Sequence, residues 1–412
     1  MCELIKEFTP DLFRNELPPG LPPERAIDHL IRLKPDAKPY SGPMYRLSPL
    51  ELQTLEKEVK SLLKKGLIEP SSAEWGAPVF FVTKKSPPGT PPGTPEDLRL
   101  VVDYRRLNAQ THAHVGTIPN IADLHARLGG ARYFTTLDLT SGYHQVRISE
   151  DDVPKTSFRT PMGLFCWRVV CFGLRNAPQT FQALMNKLIF PFSAFAVVYI
   201  DDILIFSETE EDHIKHVRTI LEVLKRERLF AKPKKCKFQQ TEVQFLGHVV
   251  TATGIKPDPS KVFVVKDWPQ PADAAGLRSW VGLCTYFRQW IQGFSSLMRP
   301  LHNLLKKDVA FSWSADCHSA FCRVKDALVS APVLARPDFS AGAAPFDVWC
   351  DASDRAVGAV LLQGGRVIAY EGRSYNKHEV NYSTAEKELL AVVHAMTLCG
   401  AVIWKGLGRF VS

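Results

Sequence analysis

The sequence predicts an α+β fold: a mixed sheet backed by helices, then a helical stretch, then a second, smaller α/β segment. Three observations predict it. Strand-like and helix-like periodicities alternate through the first 250 residues, residues 261–329 read mostly as helix, and strands followed by a helix return from Pro345. A bundle lacks such strands, and a sandwich lacks such helices. The 412 residues leave room for two or three domains, and 45% hydrophobic with 23% charged residues excludes a chain dominated by disorder.

Residues 1–47 are rich in proline around LPPGLPPERA and are expected to form an extended N-terminal arm. Ser48-Pro49-Leu50-Glu51 starts a helix, with Ser48 as N-cap, Pro49 in the first turn and Glu51 closing a capping box. Leu52, Leu55, Val59 and Leu62 form its apolar stripe, and Gly66 ends it. APVFFVTKK (77–85) and LRLVVDYRRLN (98–108) read as a hairpin whose extended tip is a tandem PPGT repeat. IPNIADLHARLGG gives a short helix capped by Asn120 and stopped at Gly129. In the following strand, YFTTLDL (133–139), Asp138 points away from Leu137 and Leu139. FGLRNAPQTFQALMNKLI begins as a loop and becomes helix after Pro178. FAVVYI and ILIF flank Asp201-Asp202 as a hairpin, and residues 210–228 form a helix with Ile214, Val217, Leu221 and Leu224 on one face. Residues 331–345 read as a linker to the strands FDVWCDAS, GAVLLQ and RVIAYEGRS and the helix TAEKELLAVVHAM.

The net charge is +8, and its clearest patch, LKRERLFAKPKKCKF (224–238), interleaves basic and aromatic residues. Such a patch suits a polyanion such as nucleic acid, and suits a solvated helix face equally well. The nine cysteines include no C-x-x-C pair and no Cys/His quartet at zinc spacing; Cys317, His318 and Cys322 belong to one amphipathic helix. The N-terminus lacks a basic region followed by an apolar core, and no apolar run approaches the roughly 20 residues of a membrane span. An intracellular chain with reduced thiols is expected.

Asp201 and Asp202 stand inside an otherwise buried β-run, VVYIDDILIF. Burying one ionised carboxylate unpaired costs several kcal/mol, and two neighbours repel each other. A divalent cation offsets that charge, and Asp138 is the candidate third ligand from an adjacent strand. Three carboxylates can hold two magnesium ions about 3.5–4 Å apart, suited to in-line phosphoryl displacement. The other ligands would come from a triphosphate and a 3′-hydroxyl. Taken alone, Asp-Asp at a hairpin tip is more often plain turn chemistry. Five residues after Asp138 comes Tyr143, an aromatic able to lie beneath a sugar and exclude a 2′-hydroxyl, or else an ordinary core residue.

TLDLTSGYHQVRI, KTSFRT, CFGLRNAPQTFQALMN, VVYIDDILIFS and VQFLGHVV, in this order and spacing, resemble the reverse transcriptase of gypsy-type long-terminal-repeat retrotransposons. The resemblance runs from LPPERAIDHLIRL through SSAEWGAPVFFV to a ribonuclease H-like segment. It implies a right-hand polymerase, with fingers and palm over 48–250 and a helical thumb and connection over 251–330. A truncated ribonuclease H-like α/β domain follows over 346–412. The implied activity is RNA-directed and DNA-directed DNA synthesis within a Pol polyprotein, using two Mg2+ ions with Mn2+ as a substitute. The implied partners are an RNA template, a DNA primer or duplex, deoxynucleoside triphosphates, and a homodimer or other Pol domains. No membrane is implied, and the place is cytoplasmic, in a virus-like particle.

Residue by residue, the resemblance makes Asp138, Asp201 and Asp202 the catalytic metal-binding triad, joined by the backbone carbonyl of Leu139. Tyr199 belongs to the same turn and lies near the primer end; Tyr143 is the sugar gate. Arg99 and Lys84 grip the incoming triphosphate, as fork and point charge, and Phe172 and Gly173 line the nucleotide pocket. Leu246, Gly247 and His248 hold the primer backbone. LRSWVGLCTYFRQWIQGFSSLMRPL looks like the thumb: it offers Arg278, Arg288 and Arg299 to a duplex in salt-sensitive contacts, with Trp280, Phe287 and Trp290 as core.

Three departures carry expectations. PPGTPPGT lengthens a finger tip that closes over the nucleotide, slowing closure or looping out harmlessly. Cys171 and Cys166 stand where the family usually has proline and glutamate, which leaves pocket shape open. Asp351 in VWCDAS and Glu386 in TAEKE match the first two ribonuclease H carboxylates, and nothing after Glu386 supplies the next. Ribonuclease H activity is therefore expected to be absent, from a middle piece of a Pol polyprotein or a decayed copy. The alternative function is an inactive remnant that only binds nucleic acid. A metal-dependent phosphohydrolase would leave Tyr143, Arg99 and the 246–248 turn without a role.

Overall fold

The structure, a computed structural model, describes residues 1–83, 98–114, 119, 124, 127–307, 309–340 and 342–406. The chain divides into two units. One comprises Met1–Pro119, Thr135–Ile205 and Glu210–Gln239, and the other Asn120–Phe134, Phe206–Thr209 and Gln240–Ser412. The PPGT tip and most of the helix capped by Asn120 lie outside the described residues.

The first unit opens with a correction. The expected extended arm begins as helix α1, Cys2–Leu12. Leu4, Phe8 and Leu12 recur at helical spacing, and all three are buried. The helix packs beside α5, Glu210–Arg226, and ion pairs Glu7–Arg218 (2.9 Å) and Asp11–Lys225 (2.7 Å) line the contact. After α1 the arm is extended, as expected, but it is tied down. Phe13, His29, Leu33 and Ser41 each make an isolated β-bridge. The Arg25 guanidinium donates to Gln145 O and Glu227 O, both at 2.6 Å.

Helix α2, Pro49–Lys64, carries the expected capping box, with Ser48 Oγ accepting from Glu51 N and the Glu51 carboxylate accepting from Ser48 N. Gly66 follows at φ +70°. Strands β1 (Ile68–Pro70), β2 (Ala77–Thr83), β3 (Leu98–Val102), β5 (Phe158–Thr160) and β6 (Gly163–Trp167) form a sheet in the order β1-β6-β5-β2-β3. β2 and β3 are the expected hairpin, in register from Val79↔Val102 to Thr83↔Leu98. A second sheet has the order β7-β8-β4-β9, from Ala196–Tyr199, Asp202–Ser207, Tyr133–Asp138 and Lys237–Gln240. Helix α3, Arg105–Gln110, follows β3, and helix α4, Ala177–Ile189, buries Phe181, Leu184 and Met185 in the same core as Leu137, Ile203 and Ile205.

In the second unit, β10 (Glu242–Phe245), β11 (His248–Thr251) and β12 (Gly254–Pro257) form a meander. It leads into α6 (Pro259–Lys266), α7 (Ala274–Thr285), α8 (Phe294–Leu304) and α9 (Ala315–Val329). Trp280, Phe287 and Trp290 are buried in their shared core, as read from the sequence. Trp280 lies 4.6 Å, centroid to centroid, from Phe321. Trp280→Ala should destabilise this unit by about 3–5 kcal/mol, seen as a lower urea midpoint for its transition.

The expected linker is also held. Leu334 pairs with Ile255, and Arg336 donates to Leu128 O (2.5 Å), Ala131 O (2.8 Å) and Ala252 O (2.8 Å). Burial pushes the Arg336 pKa down to about 10, so three carbonyl acceptors are what make its interior position tolerable. Strands β13 (Phe346–Ala352), β14 (Ala356–Gln363) and β15 (Arg366–Ser374) then form an antiparallel sheet, followed by α10 (Thr384–Gly406).

Candidate active site

The site is built where strands end. Arg132 N donates to Ser207 O at 2.8 Å, so the start of β4 lies beside the end of β8. The neighbouring strands therefore run antiparallel, and Asp138, last in β4, comes beside Asp202, first in β8. Asp201 sits in the hairpin loop between β7 and β8. The chain beyond Asp138 folds back onto that loop. A Cβ on Gly142 would stand 3.4 Å from Asp201 Cβ and 3.2 Å from the Phe181 ring, so a larger residue there would push the two segments apart.

The carboxylates sense one another. Burial, then the charges of Asp201 and Asp138, push Asp202 up to about 6. Burial raises Asp201 as well, with Asp138 adding to it and a backbone hydrogen bond opposing. Lys235 relieves both, and its ammonium lies 2.8 Å from Asp138 Oδ2. Asp138 O also accepts from Lys232 N at 2.9 Å, while Leu139 is buried and bridged to Ala231. Lys235 lay within the basic patch of the sequence, with no signal that it would face Asp138.

This gives a pH prediction. The Asp202 carboxyl titrates near 4 in the unfolded chain and near 6 in the folded one. The folded state binds the extra proton, so this group's stabilisation is fully present below pH 4 and lost as pH rises to 6. With chelator present, wild type should lose urea resistance over that window relative to Asp202→Asn, and Mg2+ at pH 7.5 should restore it.

Beside the triad lies a row of aromatic groups. Tyr143 meets Phe172 edge-on at 5.2 Å and Phe181 at 5.7 Å, and the Arg99 guanidinium lies over Phe172 at 5.1 Å. Gly173 has φ +99°, and a Cβ there would come 3.2 Å from Val102 O. Its carbonyl accepts from Asn108 Nδ2 at 2.7 Å. Four of the expected nucleotide-site residues, Arg99, Tyr143, Phe172 and Gly173, are thus joined; Lys84 lies outside the described residues. Cys171 and Cys166 are both buried, and burial pushes their thiols up to about 12 and 11. Cys171 Sγ, beside Phe172 in the chain, lies 3.8 Å from Tyr104 OH, while Cys166 Sγ faces Glu69 O on the neighbouring strand β1 at 3.7 Å.

In the second unit, Phe245 pairs with His248 across a two-residue loop in which Leu246 and Gly247 have φ +50° and +77°. Tyr286 OH donates to Leu246 O at 2.7 Å, Lys261 Nζ lies 4.5 Å above the Tyr286 ring, and His248 stacks on Tyr286 and Trp290, each at 5.0 Å. The sequence indicated the turn and not its supports. Arg288 is near Glu371, at 3.7 Å. Asp351 is exposed on β13 and lines a cavity of about 400 Å³. Glu386 lies elsewhere in use, closing a capping box with Ser383 that lowers its pKa. Among the described residues no group of three or more carboxylate, histidine or cysteine side chains forms around either of them. Cys322 lies 3.6 Å from His318, while Cys317 is buried towards Pro300.

Two family models match the chain: reverse transcriptase (RNA-dependent DNA polymerase) over residues 82–250, and the RNase H-like domain found in reverse transcriptase over 313–409. Residues 82–250 belong to the reverse transcriptase family. The chain is 37% identical, over 95% of its length, to the Pol polyprotein from transposon opus of Drosophila melanogaster, and 37% identical over 92% to that from transposon gypsy of the same organism. It is 36% identical over 95% to the transposon Tf2-3 polyprotein of Schizosaccharomyces pombe. It spans 40%, 37% and 29% of those relatives' lengths.

Its fold matches a foamy viral protease-reverse transcriptase solved with double-stranded DNA, at TM-score 0.87 and 21% identity over 99% of this chain and 69% of that one. The same viral protein with an RNA/DNA hybrid gives 0.82 and 22%, over 99% and 53%. The right-hand polymerase fold with a ribonuclease H-like domain is therefore established.

Reverse transcriptases generally use divalent metal ions. Among the described residues, no trio of Asp, Glu, His and Cys side chains is already drawn into a metal cage. The donor chemistry fits nonetheless: burial, with the neighbouring carboxylate charges, disfavours ionisation of Asp201 and Asp202, and an ammonium is docked on Asp138, charges that a divalent cation would offset. Among the described residues, no helix is long and apolar enough to cross a membrane.

Proposed function

We propose that this chain is an RNA- and DNA-directed DNA polymerase of a long-terminal-repeat retrotransposon, extending a primer by nucleotidyl transfer. The observation that carries the reading is the coupled trio Asp138, Asp201 and Asp202, each pair linked by charge at the ends of adjoining strands. These three would hold two Mg2+ ions, or Mn2+, with the Leu139 carbonyl beside them. Bound there, the ions supply Lewis acidity to the attacking and leaving oxygens.

The remaining roles belong to the chain's own groups. Arg99, steadied on Phe172, and Lys84 take the charge of the triphosphate. Tyr143 lies beneath the sugar, Phe172 and Gly173 line the pocket, and Tyr199 borders the primer end. The 246–248 turn holds the primer backbone, and residues 251–330 form the thumb that follows the fingers and palm of 48–250. Template RNA, primer DNA, deoxynucleoside triphosphates and a second copy or other Pol domains complete the assembly, in a cytoplasmic particle.

Extension of oligo(dT) on poly(rA), dependent on Mg2+ and lost with chelator, tests the reading. The competing reading, nucleic-acid binding without catalysis, draws on the Lys235–Asp138 ion pair, which occupies one of the three carboxylates. It predicts salt-dependent duplex binding with no incorporation.

A further inference from the structure

The loop that carries Asp201 contains a residue in a conformation its side chain resists. Tyr199 pairs with Asp202, so Ile200 and Asp201 form a two-residue hairpin loop. Ile200 has φ +53°, and among the described non-glycine residues with positive φ it alone is β-branched. Positive φ at the first position of such a loop is the place glycine usually takes. A β-branched residue there is a genuine outlier and needs the surroundings to impose it.

Those surroundings are one side chain. Gln182, on α4, is 1% exposed. Its Oε1 accepts from Ile200 N at 2.6 Å, while its Nε2 donates to Asn186 Oδ1 at 2.7 Å and Val198 O at 3.3 Å. The carboxamide thus grips the loop from both sides of Tyr199. The residue before it, Phe181, packs on Tyr143 and Gly142. One turn of α4 therefore sets both the loop bearing Asp201 and the ring beside it.

We propose that Gln182 is a positioning residue: its buried carboxamide holds Ile200 in the left-handed conformation and so fixes where Asp201 and Asp202 stand. The consequence for activity rests on the polymerase reading; the consequence for the loop does not. Without the carboxamide, Ile200 N and Val198 O lose a buried partner, and Ile200 relaxes toward negative φ, turning the peptide that leads into Asp201.

Gln182→Ala should speed amide hydrogen exchange of the peptide spanning 196–203 about tenfold or more. It should lower the single-turnover rate of dTTP incorporation on poly(rA)/oligo(dT) by about ten- to a hundredfold, the range set by backbone strain of this kind. The apparent dTTP affinity should change little, while the urea midpoint should fall with the lost buried hydrogen bonds. Ile200→Gly removes the strain, so in the I200G background the same Gln182→Ala change should cost less than about threefold. Should Gln182→Ala not fold, Gln182→Met, similar in volume and without hydrogen-bonding capacity, replaces it. Wild-type exchange and incorporation in the Gln182 variant would overturn the proposal, as would an undiminished loss in the I200G background. If wild type itself incorporates nothing, the polymerase reading falls, and the exchange comparison alone decides the role of Gln182.

Discussion

Replacing Asp201 by asparagine lowers primer extension on poly(rA)/oligo(dT) by about a thousandfold or more, with duplex binding retained. The substitution keeps the shape of the side chain and removes its charge. Asp201 stands in a rigid two-residue loop, coupled electrically to Asp138 and Asp202. With one of three charges gone, the site's affinity for divalent cations and its grip on developing phosphate charge both fall. Several kcal/mol of transition-state stabilisation, at about 1.4 kcal/mol per decade, gives that magnitude. The measurement is steady-state incorporation beside a salt titration of duplex binding. Activity that survives the change would sink the polymerase reading.

The second large effect concerns substrate choice. Tyr143→Ala should narrow the preference for dTTP over UTP by about ten- to a hundredfold, measured as the ratio of kcat/KM values. The Tyr143 ring meets Phe172 and Phe181 edge-on, so it cannot step aside without giving up both contacts. Two such contacts are worth about 1–3 kcal/mol together, which sets the expected range. In the proposed sugar-gate role the wall is the ring and not its hydroxyl, so Tyr143→Phe should keep the discrimination. Unchanged selectivity in the alanine variant would return Tyr143 to the role of an ordinary core aromatic.

Much of this molecule was legible along the chain. The capping box at Ser48 and Glu51 and the alternation around Asp201-Asp202 are local signals, and the structure carries both. The first helix was missed because the prolines downstream coloured the whole arm, although Leu4, Phe8 and Leu12 carry a helical period. What holds the 331–345 linker was not legible for another reason. Its proline- and alanine-rich composition reads as a tether, yet Arg336 pins it through carbonyls more than 80 residues away in sequence.

The sequence by itself pointed to the side chains proposed to carry the chemistry: three aspartates at or beside strand ends, an arginine within β3 and an aromatic just past β4. Only the tertiary structure decided what restrains them. Lys235 reaches Asp138 across 97 positions, Gln182 grips Ile200 across 18, and Arg25 straps Gln145 across 120. The physical reason is a difference in range. Periodicity and capping arise from neighbours within a turn or a pleat, so residue order alone specifies them. A buried hydrogen bond or ion pair between distant segments exists only once packing has brought donor and acceptor within about 3 Å and removed the water between them.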